Sequence, residues 1–435
     1  MSESSGAGTG KLRISSTSDP EHPSAPGAPL ARFYTALVTG DLRSLQVLTE
    51  QYHQDVNLVF EISKNELEWQ VKSQACYGLS GLWVLEERRE LSTPLCLAAR
   101  HGHPECVRHL LRRGADPNLA PGARGALHEA CLGAHSHCLE LLLEYRADPN
   151  LRSDEGTAPL HLCTTPGSLR CARLLLRHGA SVELPSEPGG DRALHVAARH
   201  RLCDHARLYL QRRARVDARN ARDETALGLL CGQAPGMADH SLQLFQLLAA
   251  HGADVEARDE SWRSPLHRAC GAANAELARL LLRRGADANA IDYDGVSPLG
   301  WALQGAACHG HRRPHLTVQL LLNHGSQKIW PSAFVKVLKS CAAVPEVIEV
   351  LFNSYSQIPV SQEWAEAVPE EVFQQHRLFY ASLLGLAGTA RSLRHWCRSA
   401  IREKCGSQCH SLIPGLALPR ALREFLLLEP QGVVR

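Results

Sequence analysis

Between residues 264 and 295 the apolar positions fall in two short clusters, each at helical spacing. Leu266, Ala269 and Cys270 make one face; after a polar break at 271–274, Leu277, Leu280 and Leu281 predict a second helix. Ser264 stands where an N-cap is wanted, and its hydroxyl is expected to accept a free backbone N–H. Pro265 then occupies the first helical position, where a missing N–H costs nothing. Arg283 and Arg284 suit the negative end of the second helix, and Gly285 follows where a left-handed cap is needed. The Asp-Tyr-Asp-Gly run at 292–295 reads as a tight turn. So short a helix pair cannot bury its own apolar side, and neighbouring copies must supply the rest.

Those copies are present. Leu95, Leu127, Leu160, Leu194, Leu227, Leu266 and Leu299 open successive units, at steps of 32, 33, 34, 33, 39 and 33 residues. A period near 33 with starts such as Thr-Pro-Leu at 93–95 and Ala-Pro-Leu-His at 158–161 resembles the ankyrin repeat. The Gly-Ala-Asp unit end returns at 114, 252 and 285, with weaker forms at 146, 179 and 325. The expectation is an all-α repeat solenoid with seven repeats over 91–330. The long step adds about six residues around 231–240, between two helices.

Outside the array, 1–30 is rich in Ser, Gly and Pro and is expected to be disordered. Residues 31–57 resemble a divergent first repeat, with a turn at Gly40 and Asp41 and with Leu42, Leu45 and Leu48 on its second helix. The stretch 58–90 carries Trp69, Tyr77 and Trp83, which argues for a folded insertion rather than a linker. A degenerate terminal repeat and a connecting helix are expected over 331–376. At 435 residues the chain exceeds one ordinary core, and a net charge of +2 gives no global field for nucleic acid. Fifteen cysteines, many on apolar helix faces, suit a reducing compartment. Without a signal peptide or an apolar span, no membrane role and a cytoplasmic or nuclear location are expected.

The second informative stretch is 392–406, Ser-Leu-Arg-His-Trp-Cys-Arg-Ser-Ala-Ile-Arg-Glu-Lys-Cys-Gly. Leu393, Cys397 and Ile401 fall on one helical stripe, flanked by Trp396 and Ala400. A small thiol between bulkier groups suits a knob that enters a pocket on another protein, although a helix packing on its own domain has the same spacing. After it, 412–428 reads as a Pro-interrupted extended segment and a final helix with Leu422, Phe425 and Leu426 as its apolar face.

Ankyrin repeats followed by these two segments resemble the ankyrin-repeat and SOCS-box family, over about 31–428. The resemblance implies a C-terminal SOCS box of three helices, placed at 377–430. Its BC box, at 392–401, would bind elongin C of the elongin B/C pair through Ser392, Leu393, Cys397 and Ile401. Its cullin box, at about 412–428, would contact cullin-5 with its RING partner through Leu416, Leu418 and Pro419. Ala417 replaces the first proline of that motif, so ordering the segment costs more. The implied function is that of a substrate receptor in a ubiquitin ligase, with no catalytic residue and no cofactor of its own. A plain ankyrin scaffold, or an adaptor that binds elongin without ligase output, fits the same residues.

Ankyrin stacks bind through hairpin turns and first helices, which directs attention to the residue four before each helix-start Leu. It is Gly at 156, 190 and 295 but Trp at 262. An exposed Trp262 would anchor a protein substrate, and Tyr293 in the next turn is similar; alternatively both fold onto neighbouring turns. The charged turn residues 222–224 and 258–260 are expected at a solvated rim. His128, His161, His195 and His267 are expected to bond between turns, and the Arg rows on second helices to face water. Cys405, Cys409 and His410 lack a fourth ligand at zinc spacing, so no metal is expected. No phosphate loop, dinucleotide fingerprint or nucleophile elbow occurs.

Overall fold

A computed structural model describes residues 13–16, 27–50, 55–71, 83–187, 189–234, 238–308 and 312–434. The chain divides into two compact units, one of residues 1–196 with 211–214, the other of 197–210 with 215–435.

In the first unit the helix pairs Gly27–Thr39 with Leu42–Glu50, Pro94–Arg100 with Pro104–Arg112, and Ala126–Leu132 with Ser136–Glu144 stack in sequence order. First helices touch first helices and second helices touch second, so each pair buries the apolar face its neighbour exposes. In the next pair the first helix shrinks to a single 3-10 turn, Pro159–Leu162, before Leu169–Arg177. The cause is Pro166: it has no N–H, and it holds Thr165 extended (φ −120°, ψ 153°).

The insertion at 58–90 is a long antiparallel hairpin, β2 (Phe60–Val71) with β3 (Trp83–Ser92), joined on the far side of β2 by β1 (Arg13–Ser16). Residues 72–82, with Tyr77, lie outside the described part. Phe60 and Ile62 at its base are buried, and Phe60 meets the rings of Phe33 and Tyr34 at 5.9 and 6.0 Å. Most of the 1–30 tail also lies outside the described part, but Arg13–Ser16 is strand and Gly27–Leu30 is helix rather than disordered. Composition counts side chains to bury, whereas a hairpin edge offers free backbone groups that pair with almost any sequence.

In the second unit the first helices Ala226–Cys231, Pro265–Gly271, Pro298–Cys308 and Phe334–Cys341 form one layer, and Ala238–Ala250, Ala275–Arg283, His315–Asn323 and Pro345–Ser354 form the other. The extra residues of the 39-residue step are divided between the connection at 232–237 and the second helix Ala238–Ala250, which has 13 residues where Ala275–Arg283 has 9. Short helices Glu363–Ala367 and Glu370–Gln375 follow. Helix Arg377–Leu384, expected to open the SOCS box, buries Phe379, Tyr380 and Leu383, and the Tyr380 hydroxyl donates to the carbonyl of Ala342 in the terminal repeat. No described helix is long and apolar enough to cross a membrane.

Two local devices hold the repeats. Gly114, Gly179, Gly252, Gly285 and Gly325 cap second helices at φ between 84° and 93°. The repeat-start histidines cap first helices and join neighbours. His267 Nδ1 accepts the Ser264 N–H at 3.1 Å, and its Nε2–H donates to the Val296 carbonyl at 3.2 Å. His128 and His161 do the same with Gly125 and Ala158 on one side and Thr157 and Leu184 on the other. Each is neutral, since burial holds its pKa below the usual value. Ser264 is not the cap its sequence suggests: its hydroxyl bonds His267 Nδ1 at 2.9 Å instead of a backbone N–H. His267→Ala is therefore expected to cost about 2–3 kcal/mol, read from urea unfolding, because it orphans a buried N–H and a carbonyl together.

Candidate functional site

The C-terminal module is three helices, Leu393–Cys405, Cys409–Gly415 and Arg420–Leu426, around a small core of Cys409, Ile413 and Leu426. Ser392 caps the first of them, its hydroxyl accepting the His395 N–H. The module rests on the ankyrin helix His315–Asn323 of the same unit.

The long helix is inverted relative to an ordinary amphipathic helix. Its apolar stripe points outward: Leu393 is 80% exposed, Trp396 43% and Ile401 37%, with Cys397 and Ala400 also exposed. Its polar side points inward, with His395 and Arg398 buried and Arg402 partly so. Burying charge while exposing leucine raises the free energy of the isolated chain, and only bonds to the buried groups offset that cost.

Most polar atoms of these buried groups are bonded; the exceptions are the Nε atoms of Arg391 and Arg398, which have no partner among the described residues. His395 Nε2–H donates to the carbonyls of Tyr355 and Ser356 at 2.8 and 2.9 Å. Its Nδ1 accepts from the guanidinium groups of Arg391 at 2.8 Å and Arg398 at 2.7 Å. Arg391 also donates to Asn353 Oδ1, at 2.8 Å. Arg402 donates to Asn323 Oδ1 and to the carbonyls of Leu322 and Leu426, at 2.6–3.2 Å. Phe425 lies under two guanidinium groups, with Arg394 and Arg398 at 4.1 and 4.3 Å from its ring centre. At the far side Glu349 accepts the backbone N–H groups of Gln431 and Gly432, so the chain end is clamped on the terminal repeat.

Electrostatics follow from this packing. Burial first, then the neighbouring Arg391 and Arg398, push the His395 pKa down to about 4. Burial also lowers Arg398 to about 9 and Arg391 to about 10. His395 must stay neutral, because protonation would remove its acceptor and add a third cation. Its contribution is complete above the unfolded value of about 6.5 and is lost as pH falls toward about 4. At about 1.4 kcal/mol per pH unit this is on the order of 3 kcal/mol. Thermal unfolding followed from pH 7.5 to 5 should show a steeper loss for the native chain than for His395→Gln.

The cullin-box residues sit between the second and third helices of the module. Leu416 and Pro419 are extended and exposed, and Leu418 packs partly against the small core. The extended part is shorter than expected: 412–415 is helical, because Ile413 joins Cys409 one turn earlier in the core. Of the final helix, Leu426 is buried, Phe425 is covered by arginine, and Leu422 is 39% exposed. Cys409 lies in the core and His410 stacks on His324 at 3.8 Å, so packing accounts for both.

On the ankyrin turns, Trp262 is 52% exposed and Tyr293 70%, their rings 5.8 Å apart at 60°. Trp262 touches the next turn yet keeps half its surface in water. Its φ is 59°, a left-handed conformation that costs a bulky residue about 1–2 kcal/mol relative to glycine. Of the rim charges, Glu224 and Asp259 are buried, both bonded to Arg268 at 2.6 Å. The inward-facing Arg391, His395, Arg398 and Arg402 escape a reading built on apolar stripes. Their 4-3-4 spacing, on the opposite helix face from His395 onward and just before the helix at Arg391, is the signal that could have found them.

Comparison with known proteins agrees with this anatomy. The ankyrin-repeats family model matches at residues 75–153, 127–220 and 236–329, and the SOCS-box model at 389–427. The chain is 60% identical to human ankyrin repeat and SOCS box protein 18 over 93% of its length and 88% of that protein's. It is 38% identical to human ankyrin repeat and SOCS box protein 16, over 95% and 91% of the two chains. For human ankyrin repeat and SOCS box protein 10 the identity is 44%, over 81% and 77%. With repeats that stack in register and a three-helix SOCS box bolted to the last of them, this chain belongs to the ankyrin repeat and SOCS box family.

Proposed function

We propose that the chain is the substrate-recognition subunit of a ubiquitin ligase built on elongin B/C, cullin-5 and a RING protein. The observation that carries this reading is the outward stripe of Leu393, Cys397 and Ile401 on a helix whose other face is fixed to the ankyrin array. Elongin C takes that stripe into an apolar groove, with Leu393 as the deepest contact. Exposed Leu416 and Pro419 then meet cullin-5, and the bond network under the SOCS box keeps the two surfaces in fixed relation to the repeats. Catalysis requires no residue of this chain. Holding a bound protein's lysines near a charged ubiquitin carrier raises their effective concentration. The setting is cytoplasmic or nuclear, which the free thiols of the described cysteines support.

A pull-down probed for elongin C and cullin-5 tests the reading. A receptor brings both, an adaptor brings elongin C alone, and a scaffold brings neither. Leu418 is pinned by the core while Ala417 is not. Pro419→Ala should therefore weaken cullin-5 capture about three- to tenfold, by loosening a short segment, while elongin capture stays unchanged.

A further inference from the structure

Three successive ankyrin turns of the second unit, at 220–224, 259–263 and 292–296, share one backbone design. Asn220, Asp259 and Asp292 each accept two backbone N–H groups from their own turn. Adjacent turns are then stitched. Arg258 donates to the carbonyls of both Trp262 and Ile291, at 3.0 and 3.1 Å, and the Tyr293 N–H donates to the Ser261 carbonyl at 3.2 Å. On this fixed frame Trp262, Tyr293 and Ile291 are 52%, 70% and 60% exposed. Trp262 occupies a left-handed position that Gly156, Gly190 and Gly295 fill elsewhere, so its side chain is kept there against the backbone's preference.

The charges around this island are asymmetric. The arginines are engaged within the turns: Arg219 with the Arg258 carbonyl at 2.7 Å, Arg222 with Glu224 at 3.4 Å, Arg263 with Asp259 at 3.1 Å. Asp223, Glu260 and Asp294 are exposed, and among the described residues their carboxylates meet no cation. What faces outward is therefore an aromatic pair and an isoleucine with the carboxylates of Glu260 and Asp294 on the same two turns, while Arg219 and Arg222 are exposed on the adjoining turn.

We propose that this surface binds a protein segment carrying a lysine or arginine beside an apolar residue. The cation lies against the rings of Trp262 and Tyr293 and is balanced by Glu260 and Asp294, while the apolar neighbour covers Ile291. The proposal rests on the receptor reading above, whose substrate class it names.

The test is selection of a random dodecapeptide display library against the full chain, with and without Trp262→Gly. Glycine suits the backbone there, so the variant should melt at the same temperature as the native chain or higher. Selected peptides should be enriched in Lys or Arg next to Leu, Ile or Phe. Synthesised and labelled, they should bind at least tenfold more weakly to Trp262→Gly and to the triple variant Asp223→Asn, Glu260→Gln, Asp294→Asn, and binding to the native chain should weaken as salt rises while binding to the triple variant changes little. No enrichment, acidic peptides, equal binding to Trp262→Gly, or a variant that melts lower would each overturn the proposal. So would a native chain that dimerises where Trp262→Gly is monomeric, since a second copy would then be the occupant. Elongin B/C capture measured on the same preparations reports separately on the receptor reading, because the substitutions leave 392–401 untouched.

Discussion

Leu393→Asp is expected to abolish capture of elongin B/C, weakening it more than 100-fold, while the melting temperature stays within about a degree. The two halves of that result have separate causes. Leu393 is 80% exposed in the free chain, so replacing it removes little packing, and surface changes of this kind usually stay within about 0.5 kcal/mol. In the complex, however, the side chain would enter an apolar groove. An unpaired carboxylate there loses its hydration without replacement, which costs several kcal/mol and exceeds the threshold for a hundredfold change. Leu393→Ala, which loses only apolar area, should fall between the two. Isothermal titration with purified elongin B/C measures both variants, and differential scanning calorimetry supplies the control.

Arg402→Ala is expected to loosen the SOCS box from the repeats, at about 2–4 kcal/mol for the local attachment. One guanidinium satisfies Asn323 Oδ1 and the carbonyls of Leu322 and Leu426, which belong to the ankyrin helix and to the last SOCS helix. Removing it leaves three acceptors without a donor where water enters poorly. Arg402→Lys retains the charge but not the planar fork, so it should recover only part of the loss. Hydrogen exchange resolved by peptide should rise across 393–426 while the repeats at 264–283 remain protected. Elongin B/C should still bind, a few-fold more weakly, because Leu393, Cys397 and Ile401 are not altered. A uniform rise across the whole second unit would instead mean that Arg402 supports the array itself.

Legibility in the sequence followed how local each signal was. The repeats announced themselves because a 33-residue unit reproduces the same cap, stripe and turn many times. The bonding role of His128, His161 and His267 was legible for the same reason, and only the partner of Ser264 was misread. Leu393, Cys397 and Ile401 were legible as a stripe, but which way the stripe faced was not. Orientation depended on whether Arg391, His395 and Arg402 would find acceptors in residues 322–356, up to about 80 positions away, with Arg398 held by His395 and the Phe425 ring. Apolar patterning treats such residues as solvent-facing, and here that default inverts the helix. The hairpin β2–β3 was recognised as folded matter from its aromatics, yet its pairing with β1 rests on backbone hydrogen bonds that leave no mark on composition. The 3-10 turn at Pro159–Leu162 was readable from Pro166, had the proline been weighed against the repeat pattern.

The central claim is that the outward stripe of Leu393–Cys405 docks on elongin C, and Cys397 reports on it directly. Its thiol is exposed between Leu393 and Ile401, whereas most other described cysteines are buried. Alkylation of Cys397, followed by mass spectrometry of the peptide that contains it, should be rapid in the free chain. With a saturating amount of purified elongin B/C it should slow at least tenfold, while labelling of exposed Cys308 is unchanged. Equal labelling of Cys397 with and without elongin B/C, at concentrations where the two co-elute, would contradict the account.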